Sequence, residues 1–109
     1  DNSSGAQLWI PVDLEEGDRI KRIDVRVLDA SSDTISIKLF KVPGDGQTSR
    51  SQVGSTATSA GDFSYQTLSI SSLTEIVAAG DAFYVIVEDD TGSSTLEVHG
   101  AAVAYDKLS

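Results

Sequence analysis

The sequence predicts an all-β protein: an antiparallel β-sandwich of seven or eight strands with a jelly-roll-like arrangement. Apolar residues alternate with polar ones along almost the whole chain, which is the period of a half-buried strand. Turn-forming residues interrupt this alternation at short intervals, and no stretch has the period of a long helix. An immunoglobulin-like sandwich would fit the same strands, but its Cys–Trp–Cys landmarks are missing. The 109 residues suffice for one domain, spanning 1–109.

The first predicted strand covers residues 7–12. Its aliphatic residues alternate with Trp9 and Pro11, so these two side chains are expected on the face opposite to the aliphatic ones. Proline has no N–H to donate to a neighbouring strand. The strand should therefore lie at the edge of a sheet or pair on one side only.

Four further strands are predicted before residue 71. Residues 20–28 and 34–42 alternate most regularly, with isoleucine, valine and leucine inward and charged or polar side chains outward. Residues 47–61 have little apolar surface, so the register of this strand is weakly specified. Residues 63–70 form the next strand, because their apolar residues again recur at every second position.

In the C-terminal part of the chain, the sequence predicts a central strand and a final hairpin. Residues 73–77 are a short strand or one helical turn. Residues 83–88 are almost continuously apolar, which predicts a central strand covered on both faces. The turn at 89–92 is expected to close a hairpin onto the last strand, 95–105, in which Gly100 marks a bulge.

Composition excludes several classes of function. The chain has no cysteine, and therefore no disulfide, thiol nucleophile or cysteine-ligated zinc. No apolar run approaches the roughly 20 residues that a membrane-spanning helix needs, so we expect no membrane insertion. The net charge of −9 argues against nucleic acid as a partner of the whole domain.

The composition also predicts an extracellular or cell-surface setting. The chain starts at Asp1 and contains no methionine, so we interpret it as a processed mature chain or an excised domain. It is rich in serine, threonine and glycine and is acidic, as many exposed surface proteins are.

Charge is unevenly distributed along the chain. Residues 19–41 carry six of the eight basic residues, whereas residues 51–106 carry eight acids and no base. Arg22, Arg26 and Lys38 occupy outward positions on consecutive predicted strands and are expected to share one face. That face is either solvated, with cross-strand ion pairs, or contacts an acidic surface of another copy.

The N-terminal strand offers a second route to self-association. A strand that carries Trp9 and Pro11 and follows a flexible start could complete the sheet of a neighbouring copy, giving an oligomer or filament. The alternative is that this strand pairs within its own domain.

Two acidic clusters are candidate sites for structural calcium, because hard cations need several oxygen ligands. The first lies in the turn after the first strand: Asp13, Glu15, Glu16 and Asp18. The second lies in the late turn: Asp89, Asp90 and Thr91. The alternative for both is an ordinary solvated turn, since neither has the spacing of an EF-hand.

Exposed aromatic residues that stack on sugar rings would make the chain a carbohydrate-binding module. Trp9, Tyr65 and Tyr84 are the candidates, and core packing is the alternative for each. The single histidine, His99, is expected on a strand face without a catalytic role, because no nucleophile signature accompanies it. The chain is therefore not expected to be an enzyme.

Several segments resemble a family of uncharacterised secreted bacterial β-sandwich domains. LWIPV at 8–12 and LEEGDRI at 14–20 resemble its opening, and LFKV at 39–42 and YQTL at 65–68 resemble later strands in the same order. The chain departs from the family pattern at Glu15, where the family has proline, and at Tyr65, where it has tryptophan. The resemblance implies the sandwich fold and a surface location, and it transfers no site.

These features together predict a non-enzymatic extracellular structural module that assembles with copies of itself into an oligomer or fibre. The alternative prediction is a carbohydrate- or ligand-binding module of a secreted protein, with a polysaccharide as its partner.

Overall fold

A computed structural model describes residues 7–28, 34–43, 50–59, 64–89 and 97–107. Within these ranges the chain forms eight strands and no helix, so no described helix could cross a membrane. The strands are β1 (Gln7–Val12), β2 (Arg19–Leu28), β3 (Ile35–Val42), β4 (Ser51–Thr58), β5 (Tyr65–Ile70), β6 (Glu75–Ile76), β7 (Ala82–Asp89) and β8 (Glu97–Asp106). Each lies within a few residues of a predicted strand, and 73–77 contains the short strand β6 instead of a helical turn.

The strands form two antiparallel sheets. The front sheet has the order β1-β7-β3-β4. In the back sheet, β2 is central: β8 pairs along one edge, and β5 and β6 pair one after the other along the opposite edge. This confirms the predicted all-β, antiparallel class, and the two sheets share one core as the layers of a sandwich do.

The core comes mainly from the three long central strands β2, β3 and β7. Successive side chains of a strand point to opposite faces, so every second residue of these strands turns toward the other sheet. The core residues of these strands that follow this alternation are Ile23, Val25, Val27, Ile35, Ile37, Leu39, Phe83, Val85 and Val87, and Ile20 of β2 is buried as well. The prediction that β7 is a central strand is confirmed. On its outer face Ile86 is buried, whereas Tyr84 and Glu88 are partly exposed, so this face is covered only in part.

The predicted hairpin between β7 and β8 is wrong. β7 pairs with β1 along one edge and with β3 along the other, so it has no edge left for a third strand. β8 instead pairs with β2 over nearly its whole length. The consecutive strands β7 and β8 therefore belong to different sheets.

Two predictions about edge strands are confirmed. The proline-containing strand β1 lies at the edge of the front sheet, and its one partner among the described strands is β7. Where β8 pairs with β2, Arg26 of β2 is opposite Gly100 and Val27 of β2 is opposite Val98, so His99 is an additional residue in β8. This is the bulge predicted at Gly100.

Two turns of the same kind lead into β2 and β7, at residues 15–18 and 78–81. In each, the N–H of the final aspartate donates to the carbonyl of the first residue, at 3.1 and 3.0 Å. Its carboxylate accepts the N–H of that first residue, at 3.0 Å in both turns. Gly17 and Gly80 hold the third position with φ of 94° and 79°, which a side chain would strain. Both turns are therefore specified by the residues Gly-Asp.

The sandwich is closed on the side where β4 packs against β5. Gly54 of β4 has φ 78°, and a Cβ atom built there would lie 2.6 Å from Leu73 Cδ2 and 3.1 Å from Ile70 Cγ2. Only glycine lets the β4 backbone come this close to the back sheet.

We expect Gly54→Ala to lower the free energy of unfolding by about 2–4 kcal/mol, because it combines a strained φ with overpacking. Gly100→Ala is the matched control, since a Cβ atom there meets nothing within 4 Å and no positive φ is required. Urea denaturation of both variants measures the difference. Equal stability of the two variants would contradict this account of the closed side.

Candidate functional site

The opposite side of the sandwich is lined by β1 and β8, the outermost strands of the two sheets. An apolar groove of about 130 Å³ lies between them and reaches the core residues Ile23 and Val85. Its walls come mainly from the core-facing residues Ile10 and Val12 of β1 and Ala101 and Val103 of β8. These four residues, with Leu8 and Tyr105, are called the open side below.

Apolar side chains of the open side remain exposed although they point toward the core. Leu8 pairs with the buried Val87, yet it is 42% exposed. Tyr105 pairs with the fully buried Ile20, yet it is 45% exposed. No residue of β1 or β8 is fully buried, whereas the central strands contribute most of the core. The two edge strands therefore bury only part of the apolar surface that they turn inward.

The open side carries no charged side chain along β1 or along residues 100–105 of β8, although the exposed Asp13, directly after β1, also lines the groove. β1 has no acidic or basic residue, and neither do residues 100–105 of β8. Within the described ranges, β1 pairs only with β7, and β8 pairs only with β2. Each strand thus leaves one edge without a neighbouring described strand, and an uncharged edge of this kind is suited to pairing with another chain.

Ion pairs hold the C-terminal end of β8 to the body of the domain. Arg19 donates a hydrogen bond of 2.6 Å to Asp106 and so lowers the pKa of that carboxyl. Lys107 donates to Glu15, which raises the pKa of Lys107, and its Nζ lies 3.5 Å from Oδ1 of the buried Asp18. The charged groups therefore anchor the end of β8 and leave its middle uncharged.

Trp9 and Tyr84 come together on the outer face of the front sheet. Their ring centroids are 4.9 Å apart and nearly parallel, and Trp9 is 51% exposed, as expected for an outward position. Phe40 packs beside Tyr84 at 6.1 Å, and the Arg50 guanidinium lies 5.3 Å from the Trp9 ring and 4.6 Å from the Phe40 ring. The rings contact one another and Arg50, so the cluster is packed on itself and does not form a flat row of ring faces.

Tyr65 lies apart from that cluster, on the outer face of the back sheet. It is 52% exposed, and its ring meets the His99 ring edge to face at a centroid distance of 5.0 Å. The structure therefore unites two of the three predicted sugar-binding residues and separates the third. Sequence reasoning does not single out Phe40 or Arg50. Alternation in β3 could have placed Phe40 outward, but no local signal brings Arg50 next to it.

The expectation that Arg22, Arg26 and Lys38 share one face is wrong. β2 and β3 belong to different sheets, so the two arginines point outward from the back sheet and Lys38 from the front sheet. Lys38 forms an ion pair of 3.0 Å with Glu88 across β3 and β7. Burial raises the pKa of Glu88, but hydrogen bonds from Lys38 and Gln7 outweigh it and keep the pKa below its ordinary value.

The first acidic cluster is engaged by lysine. Asp18 is buried in its turn, and Lys107 faces both Asp18 and Glu15, while Asp13 and Glu16 are exposed. In the part of the chain that the structure describes, no three carboxylate or imidazole groups lie together as metal ligands would. The side chain of Asp89, and all of Asp90 and Thr91, lie outside the described residues. Structural calcium stays a prediction.

No family model, no curated protein and no solved structure matches the chain.

Lowering the pH should weaken the ion pair that holds the C-terminal end of β8 to Arg19. Because the pKa of Asp106 is lower in the folded chain than its ordinary value of 3.8, its stabilising charge is present above that value and is lost as the pH falls through the folded-state pKa. Asp106→Asn should therefore raise amide hydrogen exchange at residues 103–106 at neutral pH and flatten its acid dependence. Glu16→Gln, which changes an exposed carboxylate in the first turn, is the control. Identical exchange in both variants would contradict the anchor.

Proposed function

We propose that the chain is a non-enzymatic structural module of an extracellular or cell-surface protein, and that it associates with copies of itself through the open side. The observation that carries this proposal is an exposed apolar groove flanked by two sheet edges. The finer features of the proposal, a jelly-roll-like sandwich and a secreted location, rest on the sequence pattern and composition.

The chemistry of the open side favours a strand of another copy as its occupant. Unpaired main-chain N–H and C=O groups at a sheet edge are satisfied best by a further strand. Residues 101–105 of β8 contain no proline and no charged residue, and the bulge at His99, Glu97 and Asp106 lie outside this stretch, so its edge lacks the usual features that block pairing. A two-fold contact in which β8 meets β8 of a second copy would use this same surface on both partners.

The distribution of charge also favours the open side as the contact surface between copies. Each copy carries a net charge of −9, so two copies repel each other wherever their acids approach. Residues 7–12 and 100–105 contain no charged side chain, so a contact confined to them has no acid within it, and Asp13, Glu97 and Asp106 lie at its borders. The open side is thus a surface on which two acidic chains can meet.

This mode of association differs from donation of the N-terminal strand. Trp9 and Pro11 lie on a strand that pairs with β7 of the same chain along its whole length. β1 therefore contributes its outer edge and its apolar side chains to the proposed contact, and it stays in its own sheet. Of the predicted basic residues, Lys38 is engaged by Glu88 and has no part in this contact.

We expect Ala101→Lys to abolish association, because it places a charge in the apolar groove while Ala101 itself is exposed and tolerates a longer side chain. Ser55→Lys, at an exposed position of β4 on the closed side, adds the same charge and should leave association unchanged. Sedimentation velocity over a range of protein concentrations measures this. A wild-type chain that stays monomeric at every concentration would refute the proposal.

Raising the salt concentration should strengthen the association. Screening weakens the repulsion between chains of charge −9, and an apolar contact contains no ion pair for salt to weaken. Repeating the sedimentation at low and high ionic strength tests this. Dissociation at high salt would instead indicate a contact between unlike charged patches.

A further inference from the structure

A shallow trough crosses the outer face of the back sheet, away from the core. It has a volume of about 240 Å³ and is bordered by side chains of β2, β5 and β8. The residues that line it are Asp24, Arg26, Thr67, His99, Gly100, Ala101 and Ala102. We call this the β8 trough.

The bulge in β8 shapes the β8 trough. Gly100 and Ala102 of β8 lie opposite Arg26 and Asp24 of β2. The surface is therefore lower over β8, which has small residues here, than over the longer side chains of β2. The additional residue of the bulge, His99, meets the exposed Tyr65 ring at 5.0 Å. A bulge commonly redirects a side chain in this way. Here it gives the trough an aromatic end.

One cation in the β8 trough has no acidic partner among the described residues. Asp24 accepts hydrogen bonds from Ser69 at 2.6 Å and from Arg22 at 2.7 Å, which lower its pKa and balance its charge. The Arg26 guanidinium lies 3.4 Å from the Thr67 hydroxyl and 5.5 Å from the centre of the Tyr65 ring. No described carboxylate comes within ion-pair distance of Arg26, so its charge is available to a ligand.

We infer that the β8 trough binds an acidic sugar, a uronate unit of a polysaccharide. The planar Arg26 guanidinium can hold a sugar carboxylate through two parallel hydrogen bonds. The Tyr65 ring beside the trough, and the His99 ring, whose Nε2 lies 3.0 Å from Glu97 Oε1, provide a surface for the C–H groups of the sugar. Thr67 and Asp24 supply a hydroxyl and a carboxylate oxygen for the sugar hydroxyls, and the shallow shape admits a segment of a polymer.

This inference is independent of self-association. The groove and the trough share Ala101 and Ala102, but the side chains that carry this inference, Arg26 and Thr67, lie on the outer face of the back sheet and do not line the groove. An acidic peptide could also pair with Arg26. We favour the sugar because the trough combines an aromatic surface with donors and an acceptor placed for several hydroxyl groups.

Isothermal titration calorimetry of the full chain at low salt tests the inference with three probes: trigalacturonate, the neutral trisaccharide of galactose, and a peptide of three glutamates. We expect saturable binding of trigalacturonate and at least about tenfold weaker binding of the other two, since a lost hydrogen bond to a charged group costs about this much. Equal binding of the neutral sugar, equal binding of the peptide, or no binding of trigalacturonate would overturn the inference.

A matched pair of variants locates the site. Arg26→Gln should weaken trigalacturonate binding about tenfold or more. Lys38→Gln removes the same charge from the opposite outer face and should leave the affinity unchanged. Tyr65→Ala should weaken binding as well, because it removes the ring beside the trough that His99 and Arg26 pack against. Thermal melts check that each variant is folded. Equal losses in the Arg26 and Lys38 variants would indicate nonspecific charge attraction and contradict the site.

Discussion

Main-chain pairing along both edges of β7 and of β2 determines the rest of this structure. β7 has neighbours on both edges, and so has β2. The last strand therefore cannot pair with the strand that precedes it and joins the other sheet. β1 and β8 then become the outermost strands on one side, while β4 and β5 close the other. The apolar open side is a direct consequence of this pairing.

The alternation of apolar residues predicts which side chains are buried but not which strands are neighbours. Ile23, Val25 and Val27 are inward as expected, because period two is a local property of one strand. The assignment of a strand to a sheet depends on distant pairing, and both errors arose there: the hairpin after β7 and the shared face of Arg26 and Lys38. Local backbone chemistry was more informative, since proline predicted the edge position of β1 and Gly100 predicted the bulge.

The eight basic residues divide into those that pair with a described carboxylate and those that lie over aromatic rings. Six of the eight make ion pairs with described carboxylates: Arg19, Lys21, Arg22, Lys38, Lys41 and Lys107. The other two, Arg26 and Arg50, have no such partner among the described residues, and each lies over aromatic rings on a different outer face. The sequence offered Trp9 and Tyr65 as candidate sugar-binding rings, with core packing as the alternative, but their arginine neighbours arise from tertiary packing. The basic side chains therefore lie on the outer faces and at the end of β8, and the groove of the open side is lined mainly by apolar residues.

The central claim is that the edges of β1 and β8 are a contact surface between copies of the chain. Hydrogen exchange at several protein concentrations tests it most directly, because strand pairing across the contact protects edge amides that are exposed in the monomer. The account predicts that exchange slows with concentration in peptides covering β1 and β8 and stays constant in peptides covering β4. Exchange that is independent of concentration in β1 and β8, or that slows only in β4, would contradict it.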